Sequence, residues 1–310
     1  MIKDIKNILV TGSSGTIGTA LCESLLARGY KTTGVDIHHN KWNDKIDKLT
    51  IISDLRKANF HTVLKKDFDL IIHLAANARV YDLVVRPKLA RDNFLMVFNV
   101  LEYARGSNVK RMIFASSREV YGNSDNPYHK ENETGVSNCE SPYSATKLGG
   151  EALFHSYCYC YGIMPVILRF SNVYGKYDDS NRVVPIFMRR SMNQKDLIVF
   201  GERKALDFTY IDDCLNGIVR TIENFDQDAV GGNTFNIASG KGTSIMQVAD
   251  LIKKITGSNS RIVIKQNRMG EVTNFIADIA KAKQLLGYNP KVNIQEGIEK
   301  SFEWYKGINR

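Results

Sequence analysis

No stretch of this 310-residue chain approaches the ~20 uninterrupted apolar residues that a membrane-crossing helix needs, so no membrane partner is expected. Cysteine is scarce and scattered: Cys22, Cys139, Cys158, Cys160 and Cys214 are odd in number and include no C-x-x-C pair. Neither a disulfide framework nor a zinc site is indicated, and no metal is expected. Internal repeats and low-complexity linkers are also missing. The first predicted strand begins almost at Met1, which leaves no room for a signal peptide and predicts a cytoplasmic protein. Long basic runs are lacking despite a formal net charge of +9. The densest clusters are pairs such as Lys65-Lys66, Arg189-Arg190 and Lys253-Lys254, of the kind found on solvated helix faces, so nucleic acid is not an expected partner.

What is present belongs to a globular protein: 43% apolar and 24% charged residues, in a chain long enough to bury a large core in one large or two modest domains. Its most informative stretch is Ile8 to Gly18. An apolar run, Ile8 to Val10, enters a turn whose glycines, Gly12, Gly15 and Gly18, fit G-x-x-G-x-x-G. An amphipathic helix follows, with Ile17, Leu21, Leu25 and Leu26 on one face and Gly29 at its close. Such a strand-turn-helix aims free N–H groups and a positive dipole end at the turn, where missing side chains admit a pyrophosphate. An ordinary tight turn is the structural alternative. Asp36, which ends the next predicted strand, decides for a dinucleotide, because a carboxylate there accepts hydrogen bonds from an adenosine ribose diol and repels a 2′-phosphate. NAD is therefore expected rather than NADP.

Further strands are predicted at Leu49 to Ser53, Asp69 to Leu74, Arg111 to Ser117 and Pro165 to Phe170, with long helices over Pro87 to Gly106 and Pro142 to Gly162. The fourth strand runs into Ala75 and Ala76, small enough for a backbone to pass close to a ligand. This βαβα alternation predicts an α/β fold, a Rossmann-type doubly wound parallel sheet. Residues 1–171 are expected to form the nucleotide domain. Residues 172–310, where the rhythm loosens, should form mainly a smaller mixed α/β substrate lobe, with the chain crossing back between the two.

Tyr143 and Lys147 stand four apart at the start of a predicted helix and so share a face. A phenol of pKa ~10 is only about 0.1% ionised at neutral pH. A neighbouring ammonium and a positively charged nicotinamide ring would raise the phenolate fraction about ten- to a thousandfold. Ser117, at a strand's carboxyl end, can hold the substrate oxygen.

Together these stretches resemble the extended short-chain dehydrogenase/reductase superfamily, in its NAD-dependent nucleotide-sugar epimerase/dehydratase branch. The resemblance is carried by Thr11 to Gly18, Asp54-Leu55, His73 to Ala76, Ser116 to Gly122, Ser141 to Lys147, Arg169 to Gly175, Asp207 to Asp213 and Arg268 to Glu271, spread over nearly the whole chain. It implies that Gly12, Gly15, Thr16, Ile17 and Gly18 cradle the pyrophosphate, that Asp36 holds the adenosine ribose and that Asp54 and Leu55 hold the adenine. Leu74, Ala75, Ala76 and Asn93 would line the cofactor. Lys147 would hold the nicotinamide ribose and tune Tyr143, the acid/base, beside Ser117. Asn172 and Arg268 would hold the diphosphate of a nucleotide sugar, with Arg182 in a loop that closes on it. The family commonly dimerises through a four-helix bundle, here around Phe94 to Ala104 and Ala152 to Tyr161, so a homodimer is implied.

Departures from the family pattern locate what is particular to this chain. Glu119 matches a glutamate that in dehydratases and decarboxylases of the branch works on the neighbouring sugar carbon. Arg118 stands where dehydratases commonly carry an acid, and a cation cannot protonate a leaving hydroxyl near neutral pH. Arg118 would instead attract a carboxylated sugar, unless it and Glu119 pair with groups outside the pocket. Leu206 replaces an arginine that many relatives place on the diphosphate, leaving Arg203 or Lys204 to reach it. Met96 and Val97 replace the small pair often found after the asparagine matching Asn93. The resulting expectation is an NAD-dependent epimerase acting at C4 of a UDP-hexose through a transient 4-keto sugar. A 4,6-dehydratase or uronate decarboxylase using Glu119 is the enzymatic alternative, and a catalytically silent NAD-binding regulator is the alternative of another class.

Overall fold

The computed structural model of the chain describes residues 4–64 and 67–308; the Lys65-Lys66 pair lies outside the described residues. The first half runs β1 (Asn7–Thr11), α1 (Thr16–Ala27), β2 (Lys31–Asp36), α2 (Asp44–Leu49), β3 (Thr50–Ile52), β4 (Leu70–His73), α3 (Val80–Val85), α4 (Lys88–Gly106), β5 (Arg111–Ser117), β6 (Tyr128–His129), α5 (Pro142–Tyr161) and β7 (Met164–Phe170). The second half runs β8 (Asn172–Tyr174), α6 (Val183–Met192), β9 (Leu197–Phe200), β10 (Ala205–Tyr210), α7 (Ile211–Glu223), β11 (Thr234–Ile237), β12 (Gly242–Ser244), α8 (Ile245–Thr256), β13 (Ile262–Lys265), β14 (Asn274–Ala277), α9 (Ala280–Leu286) and α10 (Ile294–Ile308).

Seven of these strands form one parallel sheet in the order β11-β7-β5-β4-β1-β2-β3. Side chains alternate across it with period two. Ile8, Val10, Ile72, Ile113, Val166 and Leu168 pack on one face with α1 and α7, while Leu9, Ile71, Phe114 and Ile167 pack on the other with α4 and α5. Both faces are thus buried, as near-continuous apolar strands require. From β1 the chain proceeds to β2 and β3 on one side and to β4 and beyond on the other. The reversal opens a crevice at the carboxyl ends of β1 and β4, where such sheets take their ligands.

A smaller sheet, β12-β10-β14-β6 with β8 beside β10, joins strands from beyond residue 172 to β6 of the first half, and a separate parallel pair joins β9 to β13. β11 pairs with β7 at the edge of the large sheet, and α7 packs on α1. β10 gives way to α7 at Ile211, with Asp212 and Asp213 in the helix's first turn. Among the described residues no helix is long and apolar enough to cross a membrane.

Candidate active site

At the end of β1 the chain turns on Gly12, whose φ of 74° suits glycine and whose absent side chain lets Ala75 approach; a Cβ would lie 2.9 Å from the Ala75 nitrogen. A Cβ at Gly18 would overlap the Gly12 carbonyl, so the helix can start this close to the strand only with glycine. α1 then begins after Gly15 with no side-chain cap, leaving its positive end open to the crevice. Asp36 is held at the rim of the turn, its carboxylate accepting from Ser14 N and His38 N, each at 3.0 Å. A cradle that side chains would fill, an uncapped helix end and a carboxylate beside them fit the pyrophosphate and ribose of NAD.

The other expected cofactor positions differ in what they offer. Ile17, Leu74 and Ala76 line the cleft, while Thr16 Oγ1 donates to Tyr177 O at 3.0 Å. Ala75 N donates to Thr11 Oγ1 at 3.3 Å. Asp54 is gripped by Arg56, whose hydrogen bonds at 2.8 and 2.9 Å hold its carboxyl below the usual range. The Leu55 side chain is in the core, and its carbonyl accepts from Asn99 Nδ2 at 2.8 Å. Asn93 is buried and occupied: its Oδ1 accepts from Asn77 N at 2.8 Å and its Nδ2 donates to Asn77 O and Thr146 Oγ1, each at 3.2 Å. It ties the loop after β4 to α5.

α5 is set by a capping box. Ser144 N donates to Ser141 Oγ at 3.1 Å, Ser141 N donates to Ser144 Oγ at 3.0 Å, and Pro142 occupies the first turn. Tyr143 and Lys147 consequently lie one turn apart, both buried, at the carboxyl end of β5. Lys147 Nζ donates to Ala115 O at 2.7 Å and stands 5.7 Å from the centre of the Tyr143 ring. The Ser117 hydroxyl is hydrogen-bonded to the Tyr143 phenol and also accepts from Glu119 N at 3.2 Å. The chain's own groups do not give the expected depression of the phenol. Burial raises Tyr143 to about 12, opposed first by the Ser117 hydrogen bond, because Lys147 is turned to a carbonyl. Burial likewise lowers Lys147 to about 8.

Ser117, Arg118, Glu119, Tyr143, Lys147, Asn172, Arg182 and Arg268 line one cleft of about 360 Å³. Arg118 and Glu119 pair with each other, at 2.7 Å, inside the cleft wall rather than with groups beyond it. Burial pushes the Glu119 carboxyl up, and the Arg118 charge opposes this. Asn172 Nδ2 donates to Asp207 O at 2.9 Å. Arg182 Nε donates to Ser180 Oγ at 3.1 Å, and its guanidinium is 3.4 Å from Asp178. Arg268 lies on the Phe200 ring at 3.8 Å. Leu206 is buried in the wall; of the two cations weighed beside it, Lys204 lines the cleft, paired with Glu271 at 2.7 Å, whereas Arg203 is exposed.

Two features escape sequence reasoning. Behind Ser116, Arg169 and Glu151 form a buried pair at 2.6 Å that also binds the Tyr121 phenol, fixing β5, β7 and α5 together. Over α1, the loop 176–182 is strapped down by Glu23, which accepts from Tyr177 Oη at 2.7 Å and Lys176 Nζ at 3.0 Å. The first joins residues 18 to 48 positions apart and the second residues more than a hundred apart, so no local pattern announces either pairing.

Residues 8–238 match the family described as NAD dependent epimerase/dehydratase. Among curated relatives, an uncharacterized UDP-glucose epimerase of Bacillus subtilis is 33% identical over 97% of this chain and 98% of its own. Among solved structures, a Thermotoga maritima UDP-glucose 4-epimerase with UDP-glucose superposes with a TM-score of 0.89 at 29% identity, covering 98% of this chain and 100% of its own. A Bacillus cereus UDP-glucuronic acid 4-epimerase, in complex with UDP-glucuronic acid and NAD, gives 0.89 at 29% identity over 97% and 99%.

Proposed function

This chain belongs to the NAD dependent epimerase/dehydratase family, and from that premise we propose that it is an isomerase inverting C4 of a UDP-hexose or close analogue through a transient 4-keto sugar. The observation that carries the proposal is the meeting of Ser117, Tyr143 and Lys147 in one buried cleft beside a glycine cradle. NAD, when bound, supplies the two-electron oxidation and the matching reduction at the sugar carbon. Gly12, Gly15 and Gly18 at the open end of α1 would hold its pyrophosphate, and Asp36 its adenosine ribose. Residues 1–171 serve chiefly the cofactor and 172–310 chiefly the sugar nucleotide.

The chain's own groups handle the proton. Ser117 Oγ orients the C4 oxygen, and Tyr143 takes the hydroxyl proton on oxidation and returns it on reduction. Lys147, hydrogen-bonded to Ala115 O, holds a positive charge that favours the phenolate once a ligand completes the cleft. Asn172, Arg182 and Arg268 bind the diphosphate, and Lys204 covers the position where Leu206 offers no charge. The absence of an acid at position 118 argues against dehydration. The protein is further proposed to work in the cytoplasm as a homodimer, paired through the exposed apolar side chains Phe94, Phe98 and Tyr159 on α4 and α5.

Cofactor released by heat from the purified protein should be NAD, and a panel of UDP-, dTDP- and GDP-sugars should yield a C4 epimer of unchanged mass from a UDP-sugar. Tyr143→Phe should cut turnover by at least ~10³-fold while NAD stays bound. A product lighter by water or carbon dioxide would move the assignment to the lyase reading, and an unaffected Tyr143→Phe would remove the acid/base role.

A further inference from the structure

Arg118 is buried in the cleft wall, yet only half of its guanidinium fork is used. Nη2 donates to Glu119 Oε1 at 2.7 Å, whereas Nη1 is enclosed and has no hydrogen-bond partner among the described residues. A buried, charged donor without an acceptor is costly, and it persists in folded proteins where a ligand provides what the chain does not. The group stands at the reacting end of the cleft: it follows Ser117 directly, and its charge and that of Glu119 both act on the Tyr143 phenol. The Phe275 ring lies 5.8 Å from the guanidinium carbon, and Arg118 itself lines the cleft.

The neighbouring charges also leave a place for an anion. Lys204 is matched to Glu271 at 2.7 Å, and burial pushes the Glu119 carboxyl, which holds Nη2 of Arg118, toward its neutral form. We propose that Arg118 Nη1 receives a carboxylate carried on C5 of the sugar, making Arg118 a specificity-determining residue for nucleotide hexuronates over nucleotide hexoses. A carboxylate presents acceptor oxygens in the plane that a guanidinium fork matches, and it brings a full opposite charge into a dry corner; a hydroxymethyl group does neither. This rests on the nucleotide-sugar reading above.

The test compares UDP-glucuronate with UDP-glucose on the NAD-loaded protein, as kcat/KM for wild type, Arg118→Met and Arg118→Lys. Wild type should prefer the uronate by at least ~10-fold, and Arg118→Met should lower the uronate-to-hexose ratio by about 100-fold, chiefly through KM. Arg118→Lys, which keeps the charge and loses the fork, should fall between the two. Should Arg118→Met fail to retain NAD, Arg118→Lys decides alone, and a ratio equal to that of wild type overturns the proposal. An unchanged ratio in Arg118→Met, or wild-type turnover of UDP-glucose with none of UDP-glucuronate, overturns it while leaving the epimerase reading standing. Turnover of neither sugar overturns that reading and this inference together.

Discussion

Tyr143 sits in surroundings that oppose its charge, and Lys147 in surroundings that oppose its own. Burial holds the phenol at about 12 and the ammonium at about 8. The lysine value lies below its unfolded one, so the ammonium is lost as pH rises through about 8. The cost of burying that charge is present below about 8 and is relieved between there and about 10.5, while the neutral phenol loses its stabilising contribution only above about 10. With Lys147 in its proposed role of supporting the phenolate, kcat/KM should fall on the alkaline side with a midpoint near 8. Lys147→Arg, which keeps its proton throughout, should lose that limb whatever its absolute rate; a limb that persists would assign it to another group. The spacing of Tyr143 and Lys147 was legible in the sequence because one helical turn fixes it. Their proton affinities were not, since these depend first on burial, and then on Ser117 beside the phenol and Glu151 near the ammonium, which only the packed sheet and helix bring together.

The elements that carry these residues are held by polar groups at long range. The glycine turn was readable from residue type alone, because Gly12 and Gly18 mark approaches that no side chain allows. The loop 176–182 was readable only as a polar break. What fixes it is Glu23, on the solvent side of α1, which takes hydrogen bonds from Tyr177, Lys176 and Asn43 at 2.7, 3.0 and 2.6 Å, while Trp42 and Trp304 pack around Tyr177. Glu23→Ala should therefore cost ~1–2 kcal/mol in urea unfolding and speed proteolytic cleavage within 176–182. Unchanged stability and cleavage would mean that the strap is held by its aromatic contacts instead. Short strands such as β6, β8, β12 and β14 were invisible for a related reason. Runs of two to four residues show no periodicity, and their pairing partners lie far along the chain.

At the scale of the whole molecule, the apolar runs of the first half predict the parallel sheet correctly, because strands buried on both faces cannot be anything but apolar. The return of β11 to its edge was less specific, since the four residues Thr234–Ile237 pair there more than sixty positions after β7. Phe98, 47% exposed on α4, and Tyr159, 94% exposed on α5, leave an apolar face that the proposed dimer would cover. Phe98→Glu should shift the protein from dimer to monomer in sedimentation, and a wild type that sediments as a monomer at micromolar concentration would remove the dimer from the account.

In the proposed reaction the hydrogen at C4 is removed and restored within one cleft, with Tyr143 moving only the hydroxyl proton. A UDP-sugar carrying deuterium at C4, turned over in ordinary water and analysed by mass spectrometry and NMR, tests it directly. The account predicts a C4 epimer of undiminished mass that keeps its deuterium at C4. Deuterium exchanged for solvent hydrogen, or carried into a product that has lost water or carbon dioxide, would contradict it.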